Sequence, residues 1–133
     1  MKADSIKLLF DKDFKGEMIT PKGTVKLGSQ EEGSQPYHLL FGALGSCFYA
    51  TFLSVADKMR LTFTDVQIDV SGSKRDQAPA TLEQVTIEMI VYNGNDENKL
   101  MKAAELGAKF CSIHETIAKV SEIDLRVRFE NKA

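Results

Sequence analysis

Residues 36–56 read PYHLLFGALGSCFYATFLSVA and contain no Asp, Glu, Lys or Arg, in a chain whose residues are 27% charged. A proline at the start and the absence of clustered β-branched residues favour a single helix, which we expect to extend to about Leu61. Lys58 and Arg60 place positive charge where a helix C-terminus favours it. This uncharged stretch is therefore predicted to be the element around which the fold is built.

The stretch is long enough for a membrane span, which needs about 20 apolar residues. However, it also contains Gly, Ser, Thr and His residues, and its internal position differs from that of a signal peptide. The rest of the chain alternates polar and apolar residues as a soluble domain does. We therefore expect a buried central helix within one domain spanning residues 1–133, and no membrane partner.

The predicted helix has two faces of different size, because residues four apart lie on the same side. One face carries the small residues Gly42, Ser46, Ala50 and Ser54, and the other carries Phe41, Leu44, Phe48, Phe52 and Val55. Cys47 lies beside the small face, together with Ala43 and Thr51. Its position suits either a reactive thiol that another group can approach or a cysteine that packs as a small hydrophobic residue.

The remaining pattern predicts an α+β fold. Period-two alternation predicts strands over residues 6–10, 17–20, 25–27, 66–70, 85–91 and 123–129. The polar segment 71–80 is predicted to be a hairpin loop. A helix is expected from an Asn95 cap to about Gly107, followed by a short helix in which Ser112 and Glu115 have the spacing of a capping box.

Composition excludes several classes of partner. The net charge of −2 and the scattered lysines provide no basic surface for nucleic acid and no charged run for a lipid surface. Two cysteines without a secretory signal indicate a reducing compartment, so we expect the cytoplasm. In that setting a cysteine pair is typical of catalysis or metal binding rather than of a structural disulfide.

The chain has only two cysteines and two histidines: Cys47, Cys111, His38 and His114. A tetrahedral metal site would need all four, but His38 and Cys47 would lie about 13 Å apart along one helix. A thiol pair could instead react with an oxidant and close a disulfide. A Cys/His pair for acyl transfer lacks an identifiable orienting Asn or Asp, and purely structural roles for all four also fit the pattern.

The two cysteines differ in what could lower their pKa values. Cys111 precedes a predicted helix start, and such a position lowers the pKa of a thiol. Cys47 lies three turns into its helix, so we expect a Lys or Arg from elsewhere to stabilise its thiolate.

Two segments resemble the OsmC/Ohr family of organic hydroperoxide reductases. SQPYHLLFGALGSC resembles the motif that opens the family's long helix, and FCSIHETI resembles the motif around its second cysteine. The resemblance implies an OsmC-like fold, with antiparallel sheets around a long central helix, and an intertwined homodimer. It also implies Cys47 as the peroxidatic thiol and Cys111 as the resolving thiol. The implied substrate is a small apolar hydroperoxide and the implied reductant a dithiol, with no cofactor and no metal.

The chain departs from the family pattern at two points. The family's peroxidases hold an arginine in the N-terminal strands, whereas this chain has no arginine before Arg60. Tyr37 and His38 stand where the family usually has a glutamate. We expect Tyr37, His38 and His114 as possible supporting residues for a thiol peroxidase that acts in oxidative stress defence. The alternative is a non-enzymatic OsmC-fold protein that binds a small molecule or senses redox state.

Overall fold

The computed structural model describes residues 1–133, and its elements follow the α+β order that the sequence predicts. The first half contains β1 (Lys7–Phe10), β2 (Lys15–Thr20), β3 (Gly23–Gly28) and α1 (Pro36–Lys58). The second half contains β4 (Asp65–Lys74), β5 (Leu82–Tyr92), α2 (Glu97–Lys109), α3 (Ser112–Ala118) and β6 (Glu122–Glu130). The chain forms two compact units, Met1–Leu40 and Phe41–Ala133, so the expectation of a single domain stays a prediction.

The first unit is the antiparallel meander that the alternating residues predict, in the order β1-β2-β3. The loop after β3 is tied to the sheet by Gln30, whose Nε2 donates to the carbonyls of Gly16 at 2.9 Å and Leu27 at 2.8 Å. Gly28 has a φ of 86°, and a Cβ at this position would collide with the carbonyl oxygen of Phe14. Glycine is therefore required where the chain leaves the meander.

The second unit contains a three-stranded sheet in the order β4-β5-β6. β4 and β5 form an antiparallel hairpin. β6, however, pairs with β5 in parallel, from Gln84 opposite Glu122 to Tyr92 opposite Glu130. The expected antiparallel pairing therefore holds for β4 with β5 but is wrong for β5 with β6. A parallel pair needs a crossover of a dozen or more residues, and α2 and α3 form that crossover.

The core of the second unit combines one face of α1 with the inner face of the sheet and with α2. Its buried side chains include Leu44, Phe48, Phe52, Val85, Ile87, Met89, Val91, Leu100, Ala103 and Ala104. β5 is the central strand and is buried along most of its length. Gly107 permits α2 to approach α1 closely, because a Cβ at this position would lie 3.0 Å from the Cα of Phe52.

α1 buries the large face that the sequence predicts, but only that face. Its buried residues are Leu44, Gly45, Phe48, Phe52 and Ala56, whereas the small face of Gly42, Ser46, Ala50 and Ser54 is exposed. By length and composition α1 could cross a membrane, and 28% of its most apolar window is buried. In the single chain, the central helix is therefore half covered rather than fully buried.

α1 ends three residues before Leu61, in a Schellman motif. The Leu61 amide donates to the carbonyl of Ala56 at 2.9 Å, and the Arg60 amide donates to that of Asp57 at 3.0 Å. Arg60 has a φ of 57°, a conformation that sequence rules assign to glycine. The absence of glycine at this position explains why the predicted helix was slightly too long.

Three other boundaries also differ from prediction. β4 continues to Lys74, because pairing with β5 holds polar residues that the sequence analysis placed in the hairpin loop. The cap of α2 is Asp96 rather than Asn95, since its side chain accepts the Lys99 amide, and the helix continues past Gly107 to Lys109.

Candidate active site

Cys47 lies in the middle of α1, at the border between the buried and exposed faces. Its neighbour Phe48 is fully buried and its neighbour Ser46 is exposed, whereas Cys47 itself is half-buried. The Thr51 hydroxyl donates to the Cys47 carbonyl at 3.0 Å, so this threonine engages the helix backbone. The Cys47 side chain is therefore partly accessible to solvent and partly covered by the protein.

Cys111 lies in the junction between α2 and α3 and is 1% exposed. It caps α3: the backbone is extended at this residue, and its sulfur accepts the His114 amide at 3.4 Å. The predicted cap, Ser112, is instead the first residue of the helix. A thiol is an uncommon cap, and this is why the Ser112–Glu115 spacing indicated a start one residue too late.

Groups at the start of α3 shift the pKa of the Cys47 thiol. Burial raises the pKa of the Cys47 thiol, but hydrogen bonds to its sulfur lower the pKa by more, so the net shift is downward. The donors are the Cys111 side chain, the Ile113 amide, and the hydroxyl and amide of Ser112. Because hydrogen bonds to the ionised form favour it, these donors stabilise a thiolate at Cys47.

The pKa of Cys111 shifts in the opposite direction. Burial raises the pKa of the Cys111 thiol, and the hydrogen bond to Cys47 and the charge of Cys47 raise this pKa further. The His114 and Ile113 amides lower the pKa, but by less. The expectation that a helix start would lower the pKa of Cys111 is therefore wrong. The site therefore combines a thiol of lowered pKa at Cys47 with a thiol of raised pKa at Cys111, and neither cysteine is in a disulfide.

The expected Lys or Arg beside Cys47 is not among the groups that shift its pKa. Neutral hydrogen-bond donors from α3 have that role instead. Sequence reasoning missed Ser112 and Ile113 because it read this segment as a helix start for Cys111 alone. The signal that could have revealed them was the adjacency of a hydroxyl residue to the second cysteine.

The three expected supporting residues lie in different surroundings. His114 is half-buried in α3, and burial lowers the pKa of its imidazole more than the neighbouring Glu115 raises it. His38 is exposed near the start of α1, where its Nδ1 accepts the Gln35 amide at 3.0 Å. Tyr37 is half-buried in the first turn of α1. Tyr37 and His38 belong to the first unit, and all three stay predictions.

An open cleft of about 290 Å³ runs along α1 and is lined by Phe41, Gly42, Gly45, Ser46, Tyr49, Ile68 and Val70. At about 100° per residue, its helical residues face away from Cys47. The cleft is therefore separate from the cysteine pair. No group of three or more His, Cys, Asp or Glu side chains is arranged to hold a metal ion.

Two features characterise the chain: an α+β fold with a half-covered long helix, and a cysteine pair whose pKa values shift in opposite directions. The chain belongs to the OsmC-like protein family, whose model matches residues 28–126. No curated protein matches its sequence. This membership assigns α1 to the fold of the family and gives no reason to place it in a bilayer.

Solved structures share the fold across the whole chain. A hypothetical protein from Aquifex aeolicus VF5 superposes with a TM-score of 0.89 at 21% identity, covering 100% of both chains. An OsmC-like protein from Mycoplasma pneumoniae gives a TM-score of 0.85 at 20% identity, covering 96% of this chain and 97% of that one. An organic hydroperoxide resistance protein OsmC from Legionella pneumophila gives 0.73 at 15% identity, covering 96% and 98%. The expected OsmC-like α+β fold is thus confirmed, whereas the intertwined homodimer stays a prediction.

Proposed function

We propose that this protein is a thiol-dependent peroxidase that reduces organic hydroperoxides in oxidative stress defence. The observation that carries the proposal is the cysteine pair: the pKa of half-buried Cys47 is lowered, and the pKa of buried Cys111 beside it is raised. A peroxidatic thiol must be ionised and accessible, whereas its resolving partner must be close and can stay protected. The pKa of each thiol is shifted in the direction that supports its proposed role.

In the first step, the Cys47 thiolate attacks the terminal oxygen of the hydroperoxide. The S–O bond forms as the O–O bond breaks, leaving a sulfenic acid at Cys47 and an alkoxide that takes up a proton to become the alcohol. Sulfur is oxidised by two electrons and the peroxide is reduced by two. The protonated Cys111 thiol, which donates its hydrogen bond toward Cys47, is a suitable source of that proton.

In the second step, Cys111 attacks the sulfenic sulfur: the S–S bond forms as the S–O bond breaks, and the leaving hydroxide takes up a proton from solvent to become water. The attacking group must be a thiolate. The charge of Cys47 is one of the causes that raise the pKa of Cys111, and oxidation to the sulfenic acid removes that charge. The first step thus prepares Cys111 for the second.

A dithiol then reduces the disulfide by exchange and is itself oxidised to a disulfide, so the cycle needs no bound cofactor. Dithiols of this reducing power are available in the cytoplasm, the compartment that we propose for the protein. The organic hydroperoxide as substrate is supported by family membership and by the structural neighbour named an organic hydroperoxide resistance protein.

Single-turnover oxidation tests this function. The reduced protein is mixed with one equivalent of cumene hydroperoxide or hydrogen peroxide, and remaining thiols are counted over time. We expect both thiols to be lost together, faster with the organic oxidant. We also expect real but slow turnover, because losing a guanidinium near the thiolate costs about 2–4 kcal/mol of transition-state stabilisation, and the α3 donors recover part of it.

Slow loss of thiols, at the same rate with both oxidants, would contradict the proposed peroxidase activity and favour a binding or redox-sensing protein. Loss of Cys47 alone, without disulfide, would contradict the role of Cys111.

We further propose that the protein is a homodimer. Support comes from apolar surface on both units: Leu8, Leu9 and Phe10 in the first, and Leu53 and Phe110 in the second, are at least 36% exposed. The exposed small face of α1 adds to this surface, and monomers rarely leave such an area in water. Sedimentation over a wide dilution range should detect dimer only; a stable folded monomer would contradict the proposal.

A further inference from the structure

Directly after β5 the chain contains an Asn-Gly pair, and Asn93 is the only one of its four asparagines that glycine follows. Such a pair deamidates readily, because glycine has no side chain to hinder attack by its amide nitrogen on the preceding carboxamide. Asn93 has a φ of 55°, and asparagine is one of the few residues other than glycine that tolerate this left-handed conformation. The labile pair therefore lies where the backbone favours asparagine.

The Asn93 carboxamide is bound by the C-terminal tail. Its Nδ2 donates to the carbonyl of Lys132 at 2.9 Å, and its Oδ1 accepts the amide of Lys132 at 2.9 Å. The same Nδ2 donates to the hydroxyl oxygen of Thr64 at 2.9 Å. A carboxamide has both donors and an acceptor, so it satisfies both backbone groups of Lys132 at once. We call this pair of hydrogen bonds to Lys132 the tail contact.

The side chain of Lys132 adds to the tail contact. Its ammonium forms an ion pair with Asp65 and lies 4.0 Å from the centroid of the Tyr92 ring. The two side chains of the ion pair are 48% and 45% exposed, so the pair is weak and screened by salt. The tail is therefore attached by contacts at the surface, and it can detach while the core stays folded.

We propose that Asn93 is a site of spontaneous deamidation, that the tail contact suppresses the reaction, and that the reaction weakens the attachment of the tail irreversibly. The Gly94 amide nitrogen attacks Cγ of Asn93. The new C–N bond forms as the bond from Cγ to Nδ2 breaks, and ammonia leaves with the proton of the attacking nitrogen. Water then opens the succinimide ring to aspartate or isoaspartate. The reaction needs only water and is independent of the cysteine pair.

The tail contact suppresses the reaction because it restrains the reacting group. The attack requires the carboxamide to rotate and its C–N bond to break, and hydrogen bonds on both its nitrogen and its oxygen oppose this change. Detachment of the tail removes two of the three hydrogen bonds of the Asn93 side chain. Deamidation should therefore proceed mainly from the detached state.

The product weakens the attachment because a carboxylate cannot donate. Aspartate at this position would place an anionic oxygen against the Lys132 carbonyl, where Asn93 now donates. The Thr64 hydroxyl is already engaged, since it donates to Asp65 at 2.8 Å. Isoaspartate also moves a methylene group into the backbone, which displaces its carboxylate from the position of the carboxamide. Either product loses the paired hydrogen bonds to Lys132.

The rate of deamidation in the full chain tests the protection. Native and denatured protein are incubated at the same mildly alkaline pH, and the peptide containing Asn93 is followed by mass spectrometry. We expect the native protein to react at least about tenfold more slowly, because two hydrogen bonds together shift an equilibrium by about that factor. Equal rates in the native and denatured protein would overturn the protection.

Three variants assign the protection to the tail. Lys132→Pro removes the amide that donates to Asn93 and the ammonium that pairs with Asp65, and it should lose most of the protection. Lys132→Ala keeps the amide and should react about two- to threefold faster than wild type. Lys102→Ala, at an exposed position on α2, is the matched control and should react as wild type does. A Lys132→Pro protein that reacts as slowly as wild type would overturn the role of the tail.

Amide hydrogen exchange at Lys132, measured by NMR, tests the effect of the product. Asn93→Asp reproduces one product and should exchange this amide about three- to tenfold faster than wild type. Asn95→Asp is the control, because the Asn95 side chain uses its oxygen as an acceptor for the Thr62 amide at 3.1 Å, a role that a carboxylate keeps. Exchange in Asn93→Asp as slow as in wild type, or equally fast exchange in both variants, would overturn the weakening of the tail.

Discussion

The middle of α1 and the start of α3 each carry one cysteine, yet the pKa values of the two thiols shift in opposite directions. In the middle of α1 the backbone donors are occupied by the helix, so the pKa of Cys47 depends on groups from outside α1. Cys111 supplies one such donor and the first turn of α3 supplies three. At the start of α3 the amides are available to Cys111, but burial and the neighbouring Cys47 outweigh them. Cys111, which lies beside the unpaired amides of a helix start, is thus the thiol whose pKa is raised.

This difference shows that the charge of a thiol is decided by the site as a whole rather than by the element that carries it. Two sulfurs close to each other cannot both ionise easily, because the first anion raises the pKa of the second. Burial then selects which one ionises: Cys111 is 1% exposed, whereas Cys47 is half-buried. The more accessible thiol is therefore the one whose pKa is lowered.

The largest effect should come from removing one cysteine at a time. Cys47→Ser should abolish hydroperoxide consumption, because no other thiolate is available at the site. Cys111→Ser should allow one oxidation and then stall, and excess oxidant should drive Cys47 on to the sulfinic acid, since no thiol traps the sulfenic acid. Oxidant consumption and intact mass measure both outcomes.

In wild type, mass spectrometry should find a disulfide between Cys47 and Cys111 within one chain. Identical behaviour of the two single variants, or a crosslink between two chains, would contradict the proposed roles of Cys47 as peroxidatic thiol and Cys111 as resolving thiol.

A smaller loss of stability and of disulfide formation is expected when α2, which leads to Cys111, is forced away from α1 by a substitution that changes neither cysteine. Gly107→Ala would place a Cβ 3.0 Å from the Cα and 3.1 Å from the amide nitrogen of Phe52, so α2 must shift on α1. Overpacking of this kind costs about 1–3 kcal/mol, and the better helix propensity of alanine offsets about 1 kcal/mol. We expect a loss of about 1 kcal/mol in the free energy of unfolding.

The same variant should close the disulfide several-fold more slowly, because α2 leads directly to Cys111, while the first oxidation of Cys47 changes less. Chemical denaturation and quenched mass spectrometry measure the two quantities. Glu105→Ala, at an exposed site on α2, is the matched control and should change neither. A Gly107→Ala protein as stable as wild type, with unchanged disulfide closure, would show that this contact does not position the pair.

Most of the fold could be predicted because the periodicity of the sequence reflects burial directly. The uncharged run that became α1 and the alternation that became β5 are local signals. The parallel pairing of β6 could not be read from its alternating residues, since these show which face is buried but not the direction of the neighbouring strand. The cap at Cys111 was missed because a sulfur acceptor is rare in that position.

The two candidate cysteines could be proposed from the sequence, but the groups that shift their pKa values could not. The pKa of Cys47 depends on donors from a helix that begins more than sixty positions later in the chain, and spacing along the chain contains no trace of that contact. A cation was expected because the dipole of α1 alone cannot stabilise a thiolate in the middle of the helix. Ser112 and Ile113 satisfy the same requirement as neutral donors.

The most direct test of this account is the pH profile of each thiol in the reduced protein. Iodoacetamide labelling is followed separately for Cys47 and Cys111, and the midpoint of each profile is compared with the ordinary thiol pKa of about 8.5. Cys47 labelling should rise as pH increases and level off with a midpoint below that value, because its lowered pKa makes it a thiolate earlier. Cys111 should remain protonated longer, with a midpoint above it.

Cys111→Ala removes one donor and should move the Cys47 midpoint upward. Cys47→Ser removes the neighbouring anion and should move the Cys111 midpoint downward, though burial keeps it above the ordinary value. The account predicts that Cys47 titrates first in the wild-type protein. A Cys111 midpoint at or below that of Cys47 would contradict it.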